Sequence, residues 1–213
     1  EELVNDIVNS NYSGAFIDET VNALSILLFA DDVAIFGDSV INLQRKIDIL
    51  EAYCKKWGLS INTSKTKIVV FKKGGGLSKC EKWFIGSERI ESVSYYKYLV
   101  LMLSCRNMFS RACENLCKQA EKALFSIKKF ICRFKSLPSE TFFKIFDGKI
   151  QPILLYGSEI WGTVYRHNVE KVHSKFCKFV LGVGYRSPSK AILAECGRYP
   201  LHVNYYTRVI SYW

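Results

Sequence analysis

Two adjacent aspartates, Asp31 and Asp32, separate two short apolar segments, residues 24–29 and 33–36. Short apolar segments of this kind are typical of strands, and the carboxylates lie where a strand pair would turn. We therefore predict a hairpin of buried strands with both carboxylates at or beside its tip. Neighbouring negative charges repel unless a cation lies between them, and carboxylate oxygens suit Mg²⁺. A metal site for phosphoryl transfer is one interpretation, and an ordinary Asp-Asp turn is the other, because aspartate is common in turns.

The rest of the first half has the pattern of a small α+β unit. Ser39 is placed to cap a helix that continues to about Trp57, because apolar residues recur there at every third or fourth position, and Gly58 follows as a C-cap. A turn is predicted at 63–65 and another at 86–87. Strands are predicted over residues 60–62, 67–71, 83–85, 89–93 and 95–103, and residues 74–76 are predicted to be a glycine loop.

After residue 104 the pattern becomes helical to the end of the chain. Asn168 is predicted to cap the third of these helices, and the sequence predicts no groove beside its lysines, Lys171, Lys175 and Lys178. The helices are predicted over residues 105–134, 139–161 (disturbed near Gly148 and Pro152), 169–181, 188–196 and 201–213. Two domains follow from this change of pattern, residues 1–104 and 105–213.

The charge is divided unevenly along the chain. The first 44 residues contain eight acids and no lysine or arginine, whereas the remaining 169 carry all 30 basic residues and 12 acids. An acidic segment followed by a basic one indicates a metal or catalytic centre beside a body that binds a polyanion. A basic surface that is merely solvated would give the same totals.

The helix at 105–134 concentrates its charge on one side. At about 100° per residue, five of its basic side chains fall within roughly 60° of one another, and the apolar ones cluster opposite. Such a basic stripe can follow a phosphate backbone, whereas a merely solvated face would normally mix more glutamate among the lysines. The stripe consists of Arg111, Lys118, Lys122, Lys129 and Arg133.

The eight cysteines include no Cys-x-x-Cys pair, and we interpret them as reduced thiols of an intracellular protein, in the nucleus or the cytoplasm. A zinc site could be drawn from His173, Cys177, Cys196 and His202, although the spacing matches no standard finger. No apolar run approaches the roughly 18 residues of a membrane span. No signal peptide is visible, so we expect neither secretion nor a membrane partner.

Several segments resemble sequence motifs of reverse transcriptases, and they follow one another in the order and at the spacing that the family shows. Residues 28–32 read L-F-A-D-D, similar to the family's F/Y-A-D-D box, and residues 57–67 contain the elements of its G-L-x-x-N-x-x-K-T motif. Residues 96–99 read Y-K-Y-L, similar to its primer-grip strand, although Val100 stands where the family usually has glycine. Residues 153–162 resemble a segment of polymerases from non-LTR retrotransposons of the jockey and related types.

This resemblance implies an RNA-directed DNA polymerase whose C-terminal part is present here: half of an α+β palm, followed by a helical thumb and a C-terminal extension. Asp31 would bind the catalytic Mg²⁺ (or Mn²⁺) ions, and Asp32 would be the weaker ligand or a supporting charge. Lys65 would protonate the leaving pyrophosphate, or it is an exposed turn lysine. The residues that would line or position the primer are Phe29, Ala30, Tyr96, Lys97, Tyr98 and Leu99.

The family's first palm aspartate and its fingers have no counterpart in this sequence, since Asp6 and Asp18 lack the flanking pattern. We expect no polymerase activity without them. The implied partners are an RNA template, a DNA primer, their RNA–DNA hybrid, dNTPs, and the upstream palm and fingers of a parent polyprotein. The alternatives are a non-catalytic remnant that binds nucleic acid through its basic helices, and a purely structural helical module.

Overall fold

The structure is a computed structural model that describes residues 1–10, 12–15, 24–72, 81–105, 109–131, 138–164 and 166–213. These residues fold as two compact units, an N-terminal unit (Glu1–Ser94) and a C-terminal unit (Tyr95–Trp213). The first is mixed helix and strand, and the second is mainly helical, so the α+β class predicted from the sequence is confirmed. The strands at 95–104 group with the helices of the C-terminal unit; the predicted domains, 1–104 and 105–213, stay a prediction.

The described residues of the N-terminal unit combine two helices with two small sheets. Strands β1 and β2 form an antiparallel pair, while β5 lies between β3, which is parallel to it, and β4, which is antiparallel. The elements are α1 (Glu2–Val8), β1 (Ile26–Phe29), β2 (Asp32–Ile35), α2 (Val40–Lys56), β3 (Lys67–Ile68), β4 (Trp83–Ile85) and β5 (Glu88–Ser92). A small core joins α2 to the three-stranded sheet through Ile47, Ile68, Trp83 and Ile90.

Helix α2 begins and ends as its sequence predicts. The Ser39 hydroxyl accepts a hydrogen bond from the Asn42 backbone N–H at 3.2 Å, which satisfies a free donor of the first turn. At the other end, Gly58 has a φ of 64° and the Leu59 N–H donates to the Cys54 carbonyl at 2.8 Å. This is a Schellman C-cap, which glycine favours because it has no Cβ.

Three details of the predicted elements are wrong. Residues 60–62 form no strand, because the chain there leads into a turn organised by Asn62, whose carbonyl accepts the N–H groups of Lys65 and Thr66. The single strand predicted at 95–103 is a hairpin. Asn168 lies within its helix, whose N-cap is Arg166 with no side-chain hydrogen bond. The predicted glycine loop at 74–76 lies outside the described residues.

The C-terminal unit begins with a hairpin, β6 (Tyr95–Tyr98) and β7 (Leu101–Ser104), and continues as helices. The helices are α3 (Ser110–Ile131), α4 (Ser139–Ile145), a π-helix (Phe146–Ile150), α5 (Gln151–Leu154), α6 (Ser158–Trp161), α7 (His167–Val180), α8 (Ser189–Glu195) and α9 (Leu201–Tyr212). One apolar core joins the hairpin, α3, α5, α7 and α9. No helix among the described residues combines the length and the apolarity that crossing a membrane requires.

The segment at 153–162 holds this core together. Leu154, Leu155 and Trp161 are fully buried, and the Trp161 indole N–H donates to the Tyr156 carbonyl at 2.8 Å. A Cβ on Gly162 would lie 2.4 Å from the Ser158 carbonyl oxygen and 3.2 Å from that of Tyr205, so only glycine lets α6 and α9 approach this closely. The motif therefore has a packing role in this unit.

The turn of the β6–β7 hairpin is strained. Its two central residues, Leu99 and Val100, have φ values of 44° and 79°. A two-residue hairpin turn needs positive φ at these positions, and a β-branched residue there is a true outlier. The strain follows from the valine that stands where the resemblance has glycine.

We expect Val100→Gly to stabilise the chain by about 0.5–1 kcal/mol, because relief of a left-handed valine, about 1–2 kcal/mol, exceeds the entropy cost of glycine. Urea unfolding followed by tryptophan fluorescence measures the change. Val93→Gly is the control, since Val93 has no positive φ and should lose stability. Equal changes in the free energy of unfolding of both variants would show that the turn is not strained.

Candidate active site and nucleic-acid interface

The two aspartates occupy the tip of the β1–β2 hairpin. Phe29 and Asp32 are paired across the strands, so Ala30 and Asp31 form a two-residue turn. Ala30 has a φ of 50°, the positive value that such turns require at their first central position. Asp31 and Asp32 are both exposed. The predicted hairpin, with its carboxylates at or beside the tip, is confirmed.

The strands of this hairpin are not buried, which corrects the sequence interpretation. Leu27, Leu28, Phe29 and Val33 are all exposed, and 60% of the Phe29 surface is accessible. The physical reason is that, among the described residues, β1 and β2 pair only with each other. A two-stranded hairpin has no cover for its apolar side chains and is marginally stable by itself.

A buried lysine fixes the base of the hairpin to α2. Lys46 is fully buried, and its Nζ donates to the Ser25 hydroxyl at 3.1 Å and to the Phe36 carbonyl at 2.9 Å. Ser25 precedes β1 and Phe36 follows β2, so one ammonium group joins both strands to the helix. Burial lowers the pKa of Lys46, because the charged form loses hydration. Sequence reasoning missed this residue, since a lysine on an amphipathic helix gives no sign of burial.

Asp31 and Asp32 offer hard oxygen donors at an exposed turn, which is the ligand chemistry of Mg²⁺ and Mn²⁺. Within the described ranges, no three His, Cys, Asp or Glu side chains come close enough to hold a metal ion. The donor set therefore fits one side of a metal site and needs further ligands.

Lys65 occupies a separate turn of the N-terminal unit. Its backbone N–H donates to both the carbonyl and the side-chain oxygen of Asn62, at 3.1 Å each. The Ser64 hydroxyl also donates to the Asn62 side chain at 2.7 Å. Asn62 thus builds the turn and presents an exposed Lys65. This confirms the predicted turn, whereas the role of Lys65 as an acid stays a prediction.

The predicted primer-positioning residues lie on β6 and its turn. Tyr96 and Lys97 are exposed, Tyr98 and Leu99 are half-buried, and β7 packs against α3. The Arg111 guanidinium of α3 lies over the neighbouring Tyr95 ring, 4.9 Å from its centroid. The structure thereby brings the predicted primer strand and the start of the basic stripe together in one unit.

Helix α3 has the two faces predicted for it. Ala112, Leu116, Ala120 and Leu124 are almost fully buried in the core. The exposed stripe residues are Arg111, Lys118, Lys122 and Lys129. No ion pair joins any of these four to an acid within the part of the chain that the structure describes. Arg133, the fifth predicted member, lies outside the described residues.

An aromatic side chain shares the basic face of α3. Phe125 is 74% exposed and lies within about 60° of Lys118, Lys122 and Lys129 around the helix axis. Exposed aromatic rings among lysines are a common arrangement for contacts with nucleic acid. The helical period that revealed the stripe also contained this signal, but the ring was not assigned to it.

The zinc arrangement drawn from the sequence is not assembled. His173 is fully buried and stacks on Phe146 with ring centroids 5.2 Å apart, and burial lowers the pKa of His173 to about 4. Burial also raises the pKa of the Cys177 thiol to about 12, which disfavours the thiolate that zinc needs. His202 lies instead against Glu170, with Nδ1 3.3 Å from the carboxylate.

Residues 3–103 match the family model described as "Reverse transcriptase (RNA-dependent DNA polymerase)". The match includes the hairpin with its aspartates, the Asn62 turn and β6. The hairpin tip, the Asn62 turn and β6 therefore lie within the segment that matches this family model, whereas the helices of the C-terminal unit lie outside it.

The chain is also similar to proteins of mobile elements. It is 24% identical over 153 residues to the "RNA-directed DNA polymerase from mobile element jockey" of Drosophila melanogaster, which covers 69% of this chain and 16% of that protein. It is 22% identical over 150 residues (68% and 17%) to the "Probable RNA-directed DNA polymerase from transposon BS" of the same organism. A putative transposon-derived protein of Caenorhabditis elegans is 29% identical over 146 residues, 65% of this chain and 49% of that protein.

The chain thus spans about a sixth of the length of the Drosophila polymerases that it matches. No solved structure shows significant similarity to it.

Proposed function

We propose, from the premise that the chain belongs over residues 3–103 to the reverse transcriptase family, that it supplies part of an RNA-directed DNA polymerase of a non-LTR retrotransposon. The reaction is two-metal nucleotidyl transfer, which adds dNTPs to a primer paired with an RNA template. The observation that carries the proposal is the β1–β2 hairpin, which presents Asp31 in its turn and Asp32 at the first position of β2.

In this proposal each residue of the hairpin has a defined task. Asp31 and Asp32 hold divalent ions, which when bound stabilise charge on the attacking and leaving oxygens. Phe29 and Ala30 lie against the primer end, where the small Ala30 side chain permits close approach. Lys65 donates a proton to the leaving pyrophosphate, a role that suits a lysine held exposed in a fixed turn.

The chain alone is proposed to be inactive. Asp31 and Asp32 are neighbours on one turn, and metals held from one side are bound weakly and aligned poorly. The exposed apolar strands of the hairpin fit the same conclusion, because further palm strands would cover them. We therefore propose that an upstream palm aspartate and fingers, contributed by the parent polyprotein, complete the site.

The C-terminal unit is proposed to hold the template–primer hybrid. Tyr96, Lys97, Tyr98 and Leu99 position the primer strand, and the basic stripe of α3 follows the phosphates. Because the stripe and β6 lie in one unit, hybrid binding does not depend on the metal site. A non-catalytic remnant that only binds nucleic acid is thus the second candidate, and the unpaired lysines of the stripe favour it.

The proposed place of action is the nucleus or the cytoplasm. The described cysteines, Cys54, Cys105, Cys113, Cys117, Cys177 and Cys196, are free thiols. Free thiols of this number are typical of a reducing compartment.

The metal assignment predicts weak binding of Mn²⁺ that depends on Asp31. We expect Asp31→Asn to weaken binding by roughly tenfold or more, since one carboxylate attracts a divalent ion at 4 Å in water with about 2 kcal/mol. Titration of the Mn²⁺ electron paramagnetic resonance signal measures the free ion directly.

Asp38→Asn is the matched control for this titration. Asp38 is an exposed carboxylate that accepts a hydrogen bond from Asn42 at 2.7 Å, away from the hairpin tip. It should leave Mn²⁺ binding unchanged. Identical binding by the wild type and Asp31→Asn would show that the hairpin tip is a plain turn.

A further inference from the structure

A cavity of about 590 Å³ lies beside α7 in the C-terminal unit. Its walls come from α7, the loop that follows it and the first turns of α8 and α9, with Lys128 of α3 at one side. The volume falls within the range of ligand-binding pockets. The sequence predicted no groove beside the α7 lysines, and the cavity corrects that expectation.

Positive charge dominates the lining. The lysines that line the cavity are Lys128, Lys171, Lys175, Lys178 and Lys190. The acid among them, Glu170, is buried and accepts the backbone N–H groups of Leu201 at 3.2 Å and His202 at 2.6 Å, so it caps α9. Among the described residues, no ion pair engages Lys171 or Lys190, both of which are exposed. Such a lining fits an anionic ligand.

Two aromatic rings accompany the lysines. Tyr185 is 79% exposed at the cavity mouth, and its loop is tied to α7 because Lys178 Nζ donates to the Tyr185 carbonyl at 2.8 Å. Phe179 lines the wall, with Lys128 Nζ 4.5 Å from its ring centroid. Rings beside ammonium groups match the alternation of bases and phosphates along a nucleic acid strand.

We propose that this cavity binds a single-stranded segment of nucleic acid, independently of its sequence. Lys171 and Lys190 contact its phosphates, and Tyr185 stacks on a base. A single strand fits better than a duplex, because bases in a duplex are stacked on each other and do not offer their faces to a protein ring. The site is separate from the stripe of α3 that is proposed to hold the hybrid.

The test measures fluorescence anisotropy of a labelled twelve-nucleotide oligo(dT) with the full 213-residue chain. The double variant Lys171→Gln, Lys190→Gln should weaken binding and flatten the slope of log affinity against log salt by roughly 1.4, about 0.7 for each lost contact on a single strand. Tyr185→Leu should weaken binding by about tenfold through loss of stacking. Neither change should alter binding of a duplex RNA–DNA hybrid of equal length.

The control is Lys144→Gln, Lys149→Gln, which removes the same charge from exposed lysines of the same unit outside the cavity. Equal weakening by the control would reduce the effect to net charge and overturn the proposal. So would an equal loss of hybrid binding in the cavity variants. Displacement of the oligonucleotide by free dTMP at the same nucleotide concentration would reveal a mononucleotide site instead, and would also overturn the proposal.

Discussion

Replacing Asp31 by alanine, in a chain joined to the proposed upstream palm and fingers, is expected to abolish primer extension. The change removes a carboxylate that is proposed to hold the catalytic ions. Charge stabilisation by such ions is worth several kcal/mol, so the rate should fall on the order of 10³-fold or more. Single-turnover extension of a labelled DNA primer on an RNA template measures the rate.

The control for this experiment is Asp38→Ala in the same extended chain. Asp38 follows β2, lies outside the hairpin turn and accepts a hydrogen bond from Asn42. Its loss should therefore change the extension rate far less than the loss of Asp31. Binding of the template–primer hybrid should be similar in both variants, because the stripe lies in the other unit. Comparable extension by the Asp31 variant and the wild type would exclude Asp31 from the metal site.

Changing Lys118, Lys122 and Lys129 to glutamine together is expected to produce the second large effect, a loss of hybrid affinity. Each phosphate contact releases counterions and contributes about −0.7 to −0.9 to the slope of log affinity against log salt. The triple variant should flatten that slope by roughly two to three, which corresponds to about a hundredfold to a thousandfold loss of affinity at 0.1 M salt. The loss should be equal for unrelated sequences, since phosphate contacts read no bases.

Folding should be unaffected in this variant, because the three lysines are exposed and lie opposite the buried face of α3. The matched control changes Arg89, Lys144 and Lys149 to glutamine, which removes the same charge from exposed positions off the stripe. The lysines of α7 are unsuitable as a control because they line the basic cavity. If the stripe variant and the control variant lose hybrid affinity equally, the effect is one of net charge and the stripe has no specific role in binding the hybrid.

Local rules predicted the elements whose signals lie within a few residues. The Ser39 cap, the Gly58 C-cap and the hairpin with Asp31 and Asp32 at or beside its tip each depend on a short-range hydrogen bond or a single backbone dihedral angle. The buried face of α3 was predictable because helical periodicity places its apolar residues on one side. These features were therefore readable from sequence, and the structure confirms them.

The features that were predicted wrongly, or not predicted, depend on contacts between residues far apart in the sequence. Burial of the β1 and β2 strands requires neighbouring strands, and none is found among the described residues. The turn of the β6–β7 hairpin was not predicted because it contains Val100, and a β-branched residue favours strands and disfavours positive φ. The cavity beside α7 arises where elements far apart in sequence meet, so its lysines looked like an ordinary solvated face.

For the candidate site, the sequence predicted the positions of the carboxylates and the Lys65 turn, and the structure adds their exposure and their hydrogen-bond partners. Lys46 is the clearest example of the difference, because its burial depends on Ser25 and Phe36, which lie outside its helix. The roles assigned to Asp31, Asp32 and Lys65 come from the family resemblance and remain proposals about chemistry.

Primer extension on an RNA template, by the 213-residue chain and by the extended chain side by side, tests the central claim most directly. We predict that the extended chain copies the template in the presence of Mg²⁺ and dNTPs, and that the 213-residue chain adds no nucleotide although it binds the hybrid. Extension by the 213-residue chain alone, or no extension by the extended chain, would contradict the assignment of this chain as one part of a divided polymerase site.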